Sequence, residues 1–299
     1  MRRPAVVLIS CLFLVVVTAP SAVGATPVAV VATKATELQP AASTDYIAWA
    51  VKTRSGQNVY AKQTGQSRFR VNPTGTRGAL GGIDGTTLIY QEFARTSDIF
   101  FLDLTSKART NAGAPINTRQ WEYWPSVSGD WVLFGRLFRD DRRRVILYNT
   151  ATGETRVLVE TSGSRRLLNP GQVAGNFVAW EKTVLSRGGD LTSCDIFLYD
   201  IANTTTTTIP NPDQKCQYAA SVNQSGTVYY ARSGFGCGKS VTLNKYPIAG
   251  PSTSLVALRA GVDFTDSYAL DNGDGTIDVF FDPGSCRTGN LDIKKVTDS

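Results

Sequence analysis

The sequence predicts an all-β protein, a six-bladed β-propeller of four-stranded antiparallel blades. Three observations lead there. A short polar turn followed by an apolar strand ending in an aromatic residue recurs six times. The copies lie one four-stranded unit apart, the kind of period that signals a repeat architecture. No long apolar stretch with a 3.6-residue period interrupts them, so helices are expected to be scarce.

The copies are STDYIAWAVK (43–52), GIDGTTLIYQ (82–91), VSGDWVLFGR (127–136), VAGNFVAWEK (173–182), SVNQSGTVYYAR (221–232) and GDGTIDVFFD (273–282). Aligned on Trp49, Tyr90, Phe134, Trp180, Tyr230 and Phe281, they are spaced by 41, 44, 46, 50 and 51 residues. Gly85, Gly129, Gly175 and Gly226 supply the positive φ that a tight hairpin turn needs. A strand with apolar or aromatic residues on both faces then follows, and it can be covered only by neighbouring copies of its own sheet.

Each copy is followed by a second strand: NVYAK (58–62), DIFFLDL (98–104), VILYNT (145–150), DIFLYDI (195–201), VTLNKY (241–246) and LDIKKV (291–296). A polar third strand closes several units, as in SRFRV (67–71), ETRVLVE (154–160), TTTTTIP (204–210) and TSLVAL (253–258). Short inner strands are expected before the turns, at 124–127, 171–173 and 219–222. The blades then run roughly 40–79, 80–118, 119–168, 169–217, 218–260 and 261–299. The last unit is one strand short, so residues 28–38 are expected to supply its outer strand and close the ring. An open ring would leave a bare sheet edge.

The chain begins MRRPAVVLISCLFLVVVTAPSAVGA, with Arg2 and Arg3 before an apolar core and small residues at Val23-Gly24-Ala25. This reads as a secretory signal peptide over 1–25, leaving one domain over 26–299. Its apolar core is shorter than the roughly 20 residues of a membrane span. Beyond Ala25 there are 29 basic and 25 acidic residues, a surplus too mild to point to nucleic acid. The expected product is a secreted, extracellular or periplasmic monomer.

Cys194, Cys216, Cys237 and Cys286 follow the leader, an even number for an oxidising compartment. Zinc is disfavoured because no cysteine pair has metal-ligand spacing and the chain contains no histidine. Loop placement favours Cys194–Cys216 and Cys237–Cys286 among the three pairings that four cysteines allow. Without histidine, Ser-His-Asp and Cys-His hydrolysis are excluded.

The turn, the apolar strand, the D-I-(F/Y)-x-x-D strand and then T-x-G-E-T-R-x-L together resemble the TolB-type, WD-like β-propeller repeat. GDWVLFGR…VILYNTATGETRVL (129–158) carries it most clearly, and DIFLYDIANTTTTTI (195–209) follows. The resemblance spans 40–299, departing from the family in lacking its usual Pro-Asp-Gly turn. It implies a secreted scaffold for interactions and names no partner.

The long connections between each aromatic-bearing strand and the strand that follows it gather on one face, where binding is expected. Arg136, Arg139, Arg142, Arg143 and Arg144 lie in one of them with Asp140 and Asp141, either as a solvated hairpin or as a docking patch for an acidic ligand. RQWEYWPS (119–126) brings Trp121 or Tyr123 near the channel mouth, either as core packing or, with Tyr218 and Asp263 or Asp266 as neighbours, as a stacking platform. DNGDGTID (271–278) lacks the carboxylates that an EF-hand requires at its ends, and Asp-Gly hairpin chemistry accounts for it. No metal or cofactor is therefore expected.

Two functions remain. One is a non-catalytic propeller that binds a protein or envelope ligand through the loop-rich, disulfide-bearing face. The other is a glycosidase or lyase working through carboxylates at the channel mouth, for which Asp263, Asp266 and Glu122 are the candidates. The absence of any catalytic signature favours binding.

Overall fold

The computed structural model describes residues 25–94, 96–234, 239–248, 250–285 and 287–299. Residues 1–24 of the expected signal peptide, Cys237 and Cys286 lie outside the described residues. All regular structure among the described residues is β, and no helix among them is long and apolar enough to cross a membrane.

The first strand, β1 (Val28–Val31), belongs to the sheet formed by the chain's end. A sheet of β2 (Glu37–Ala42), β3 (Tyr46–Thr53), β4 (Gly56–Gln63) and β5 (Phe69–Arg70) follows. Next come β6 (Arg77–Asp84), β7 (Thr87–Phe93), β8 (Ser97–Asp103) and β9 (Arg109–Asn111), then β10 (Trp121–Ser128), β11 (Trp131–Leu137), β12 (Arg143–Asn149) and β13 (Thr155–Thr161). Another sheet holds β14 (Arg166–Ala174), β15 (Phe177–Leu185), β16 (Leu191–Asp200) and β17 (Thr205–Thr208). β18 (Cys216–Val222), β19 (Val228–Ser233), β20 (Val241–Tyr246) and β21 (Thr253–Ala257) form a further one. The last sheet contains β23 (Ser267–Asp271), β24 (Ile277–Phe281) and β26 (Ile293–Asp298), while β22 (Val262–Asp263) and β25 (Gly284–Ser285) make a separate two-stranded ribbon.

The innermost strands β2, β6, β10, β14, β18 and β23 each touch the next, and β23 touches β2. The four-stranded antiparallel units therefore form a propeller-like ring. Their hydrogen bonding corrects the expectation of six separate sheets. Four four-stranded sheets stand alone, whereas β6–β9 and β10–β13 form one eight-stranded sheet. A single parallel pair, Trp121 with Ser97, joins its halves. The cause is local: Gln91 Nε2 donates to the Glu122 carbonyl at 2.9 Å and Ser97 Oγ donates to the same oxygen, pulling the start of β10 onto β8.

The six aligned aromatics lie on β3, β7, β11, β15, β19 and β24, each at most 2 % exposed. They fill the interfaces between neighbouring units, for example Trp49 with Tyr46, Leu80 and Phe280, and Trp180 with Leu133 and Val145. Gly85, Gly129, Gly175 and Gly226 adopt positive φ in the turns before these strands.

β1 pairs antiparallel with β26, Val28 facing Lys295 and Val31 facing Ile293, so the two ends of the described chain share one sheet. The expected single strand over 28–38 is corrected. Pairing with the last sheet stops at Val31, a turn in which Ala35 N donates to Thr33 Oγ1 at 3.1 Å intervenes, and Glu37 already begins the inner strand of the next sheet. The inner strands are longer than expected, because β10, β14 and β18 begin at Trp121, Arg166 and Cys216 and run through a bulge. Cys194 and Cys216 are disulfide-bonded, with Cα atoms 4.7 Å apart. Cys194 lies within β16 rather than in the preceding loop, so the bridge ties a third strand to the start of the next sheet's inner strand.

Candidate functional site

The inner strands converge on a channel whose loop-side end is a cavity of about 250 Å³. Gln39, Gly81, Trp124, Gly171, Ala219 and Asp266 bring each of the six inner strands, or its flank, to its wall. The shape comes from register breaks at Leu38/Ala41, Leu80/Gly82, Tyr123/Ser126, Pro170/Val173 and Tyr218/Ser221. A bulge re-aims side chains that regular alternation would hold elsewhere. At Gln39, Trp124 and Ala219 the bulge places a non-glycine residue at φ of 52°, 45° and 54°, a conformation that costs free energy and clusters at functional sites. Gly81 and Gly171 mark how closely the inner strands approach: a Cβ there would lie 2.2 Å from the Pro125 carbonyl oxygen and 2.4 Å from that of Ala220.

A second cavity of about 350 Å³ opens on the turn side. Gln172 and Tyr268 line both cavities and thus lie between them. Gln172 Nε2 donates to the Ala269 carbonyl at 2.8 Å, and its Oε1 accepts from Ala269 N at 2.9 Å and Val222 N at 3.4 Å. Tyr268 donates its hydroxyl to the Ile83 carbonyl.

Glu181 and Asp266 line the loop-side cavity, and Asp282 is hydrogen-bonded to the backbone of Asp266. Glu181 accepts from Ala219 N at 2.9 Å and from the Asn169 amide, and burial pushes its pKa up to about 7. Burial likewise pushes Asp266 up to about 6. Fully buried Asp282 accepts from Thr265 N at 2.7 Å, Thr265 Oγ1 at 2.8 Å and Asp266 N at 3.0 Å. Its pKa is raised well above the carboxylate norm by burial first and by the Asp266 charge second. Groups titrating near neutrality can exchange protons or receive a cationic group.

The sign of this linkage is definite. Glu181 binds its proton more tightly folded than unfolded, so the unfolded chain holds fewer protons between about pH 4.5 and 7 and stability falls as pH rises through that window. Its ionisation costs on the order of 3 kcal/mol at most. Urea unfolding of Glu181→Gln should show a smaller loss of stability from pH 5 to pH 8 than the parent; equal losses would refute the assignment.

Among the expected enzymatic carboxylates, only Asp266 reaches the cavity. Glu122 is held by Arg136 Nε at 2.8 Å and Thr118 Oγ1 at 2.7 Å, and Asp263 accepts the Tyr218 hydroxyl and Phe264 N at 2.8 Å. Burial and then the hydrogen bond to Asp263 raise the Tyr218 phenol far above its usual value. Tyr123 turns away from the mouth, its hydroxyl donating to the Leu168 carbonyl at 2.9 Å. The aromatic that β10 presents to the cavity is Trp124, 40 % exposed and edge-on to Tyr123 at 5.5 Å. Trp121, also 40 % exposed, packs against Phe93 at 5.9 Å.

The arginine run is largely engaged within its own hairpin. Arg142 pairs with Asp140 at 2.8 Å, Arg144 pairs with Glu160, and both stack over Phe138. Arg143 reaches the Gly163 and Arg166 carbonyls at 3.5 Å. Arg139 is exposed and makes no ion pair among the described residues. Asp274 of the DNGDGTID turn accepts from Thr276 N and Oγ1 at 2.9 and 2.7 Å, as hairpin chemistry requires.

Glu181, Asp282 and Trp124 were not among the expected site residues. Trp124 lies within the quoted RQWEYWPS, but only the bulge shows that it, and not Tyr123, faces the mouth.

No model of a known protein family matches the chain, and no curated protein does. Solved structures are similar in fold. TolB from Acinetobacter baumannii superposes with a TM-score of 0.55 at 15% identity, over 85% of this chain and 64% of that one. A putative TolB from Agrobacterium tumefaciens gives 0.58 at 14%, over 89% and 92%. An oligogalacturonate lyase in complex with manganese gives 0.52 at 14%, over 83% and 73%. The chain thus spans just under two thirds of the first of these. At such identities the likeness establishes the β-propeller fold.

Proposed function

We propose that this chain is a secreted or cell-envelope β-propeller that binds a protein or envelope glycan through its loop-rich face without catalysing a reaction. In this reading each half of the eight-stranded sheet acts as a blade, making six, and the protein works as a monomer. One observation carries it: Trp121 and Trp124, two of the chain's five tryptophans, are each 40 % exposed on one strand beside the loop-side cavity. Exposed tryptophan is costly to leave in water and is enriched where binding energy concentrates. Asp266, Tyr218 and Asp263 would border the ligand, and Arg139, with Arg142, Arg143 and Arg144 behind it, would form the rim. The Cys194–Cys216 bridge and the fold likeness to TolB support an exported location.

The test is co-sedimentation with the source organism's envelope fraction and capture from its culture supernatant. Trp121→Ala/Trp124→Ala should lose most of the retained material while keeping the parent's circular dichroism spectrum, and Arg139→Glu should weaken retention. Unchanged retention in the double variant would remove the reading.

The approach of Glu181, Asp266 and Asp282 favours a second reading, a carbohydrate-active enzyme using these carboxyls as acid and base. A fold neighbour is an oligogalacturonate lyase. Turnover of a polysaccharide that disappears in Asp266→Asn would establish this reading over the first.

A further inference from the structure

The loop-side cavity has a definite charge. Glu181 and Asp266 stand in its wall, and the wall contains neither lysine nor arginine. Neither carboxyl forms an ion pair among the described residues. They lie on either side of the bulged Ala219. Glu181 accepts from Ala219 N at 2.9 Å, and Ser267, the neighbour of Asp266, donates its Oγ to the Ala219 carbonyl at 2.6 Å. Besides burial, the Asp266 charge raises the Glu181 pKa, so the two groups are within electrostatic reach of each other. A cation entering between them relieves both. The negative charge is local, because the chain beyond Ala25 is itself cationic, with 29 basic and 25 acidic residues.

The opposite wall is aromatic. β10 and β23 lie three places apart in the ring of inner strands, and hence across the channel from each other. Trp124 of β10, 40 % exposed, therefore stands opposite Asp266 at the head of β23. The space of about 250 Å³ lies just below the range of about 300–1,000 Å³ for whole small-molecule sites, which suits one ring of a longer ligand. Gln39 Oε1 accepts from Leu80 N at 3.1 Å, which leaves its amide N–H groups to a ligand. Asn169, whose amide donates to Glu181, keeps its Oδ1.

We propose that this cavity binds a glycan residue bearing a free primary amine, a 2-amino-2-deoxy sugar. The proposal rests on the reading that the loop-rich face binds an envelope glycan, and it names the residue taken. The ammonium meets Asp266 and Glu181, the apolar face of the pyranose lies on the Trp124 indole, and ring hydroxyls meet Gln39 and Asn169. Aromatic packing beside a few placed polar groups is how such sites gain both affinity and orientation. A lysine side chain would satisfy the carboxyls, but it would set a flexible stem against the indole and leave both amides unmatched. A uronate would bring a like charge against both carboxyls.

The probe is the glucosamine trisaccharide, titrated against the intact protein by calorimetry, with its N-acetylated form, trigalacturonate and trilysine as comparison ligands. One saturable site is expected for the amino sugar, about tenfold or more tighter than for any comparison ligand. Asp266→Asn should weaken the probe about tenfold or more, since a desolvated charge pair loses one partner. Trp124→Ala, at an exposed position, should weaken it without lowering the melting temperature. Asp274→Asn, which removes the same charge from the turn side, should bind as the parent does. Absence of saturable binding, binding of any comparison ligand as tightly as the probe, or indifference to both Asp266→Asn and Trp124→Ala would each overturn the proposal. Envelope retention that survives N-acetylation of the envelope with acetic anhydride would sink this proposal and leave the broader function standing. Trisaccharide binding without any envelope retention would do the reverse.

Discussion

A chain that begins at Ala35, and so lacks β1, is expected to melt roughly 6–12 °C below the parent, on a loss of about 3 kcal/mol in a domain of this size. β1 contributes its ladder to β26, partly buried Val31 packs on the cluster around Trp49 and Tyr46, and Ala25 N donates to the Leu255 carbonyl at 3.2 Å just ahead of the strand. Exposed Val28 and Val30 contribute little, which keeps the estimate modest. Without β1, the outer edge of β26 is left unpaired, an invitation to edge-to-edge association. The truncated protein should therefore also show concentration-dependent light scattering. Calorimetric melting checks the first effect and scattering the second. A melting temperature within a degree of the parent would show that β1 is an ornament of the last sheet and not a fastener.

The sequence carried the ring because its signal is repeated. Trp49, Tyr90, Phe134, Trp180, Tyr230 and Phe281 each had to be buried by a neighbouring copy, and each is. The pairing of Cys194 with Cys216 was legible for a similar reason, since alternating strands left both at one end of adjacent units. What failed was anything set by a single local departure from the repeat. The fused sheet depends on Gln91 and Ser97 reaching one carbonyl, and no periodicity encodes that contact. The stretch 28–38 is broken by a threonine turn within a run of strand-forming residues. The site was misread by one residue because alternation places Tyr123 inward, while the bulge after it hands that position to Trp124. Glu181 stood in plain view in VAGNFVAWEK, but its approach to Asp266 comes from two different sheets and is a property of the ring alone.

Gln172→Ala is expected to cost about 4 kcal/mol, because one side chain satisfies three backbone groups on two neighbouring strands. Removing it strips partners from the Ala269 carbonyl, Ala269 N and Val222 N, each a loss of roughly 1–3 kcal/mol if left dry. The cavities on either side offset part of this, since a water entering between them could serve some of these groups. That offset sets the estimate below the sum of three full penalties. Gln172→Glu separates the bonding pattern from the packing. A protonated carboxyl can donate to the Ala269 carbonyl and accept from both amides, so at pH 5 the variant should stay close to the parent. Once ionised it has no proton for that carbonyl, and its buried charge must be paid in stability. Its pKa is thereby raised in the folded state, and stability should fall as pH rises from 5 to 8. Urea midpoints of both variants at the two pH values decide the matter. A Gln172→Ala midpoint equal to the parent's would mean that the channel needs no strut, and a pH-independent Gln172→Glu would mean that the side chain is not confined between the two cavities.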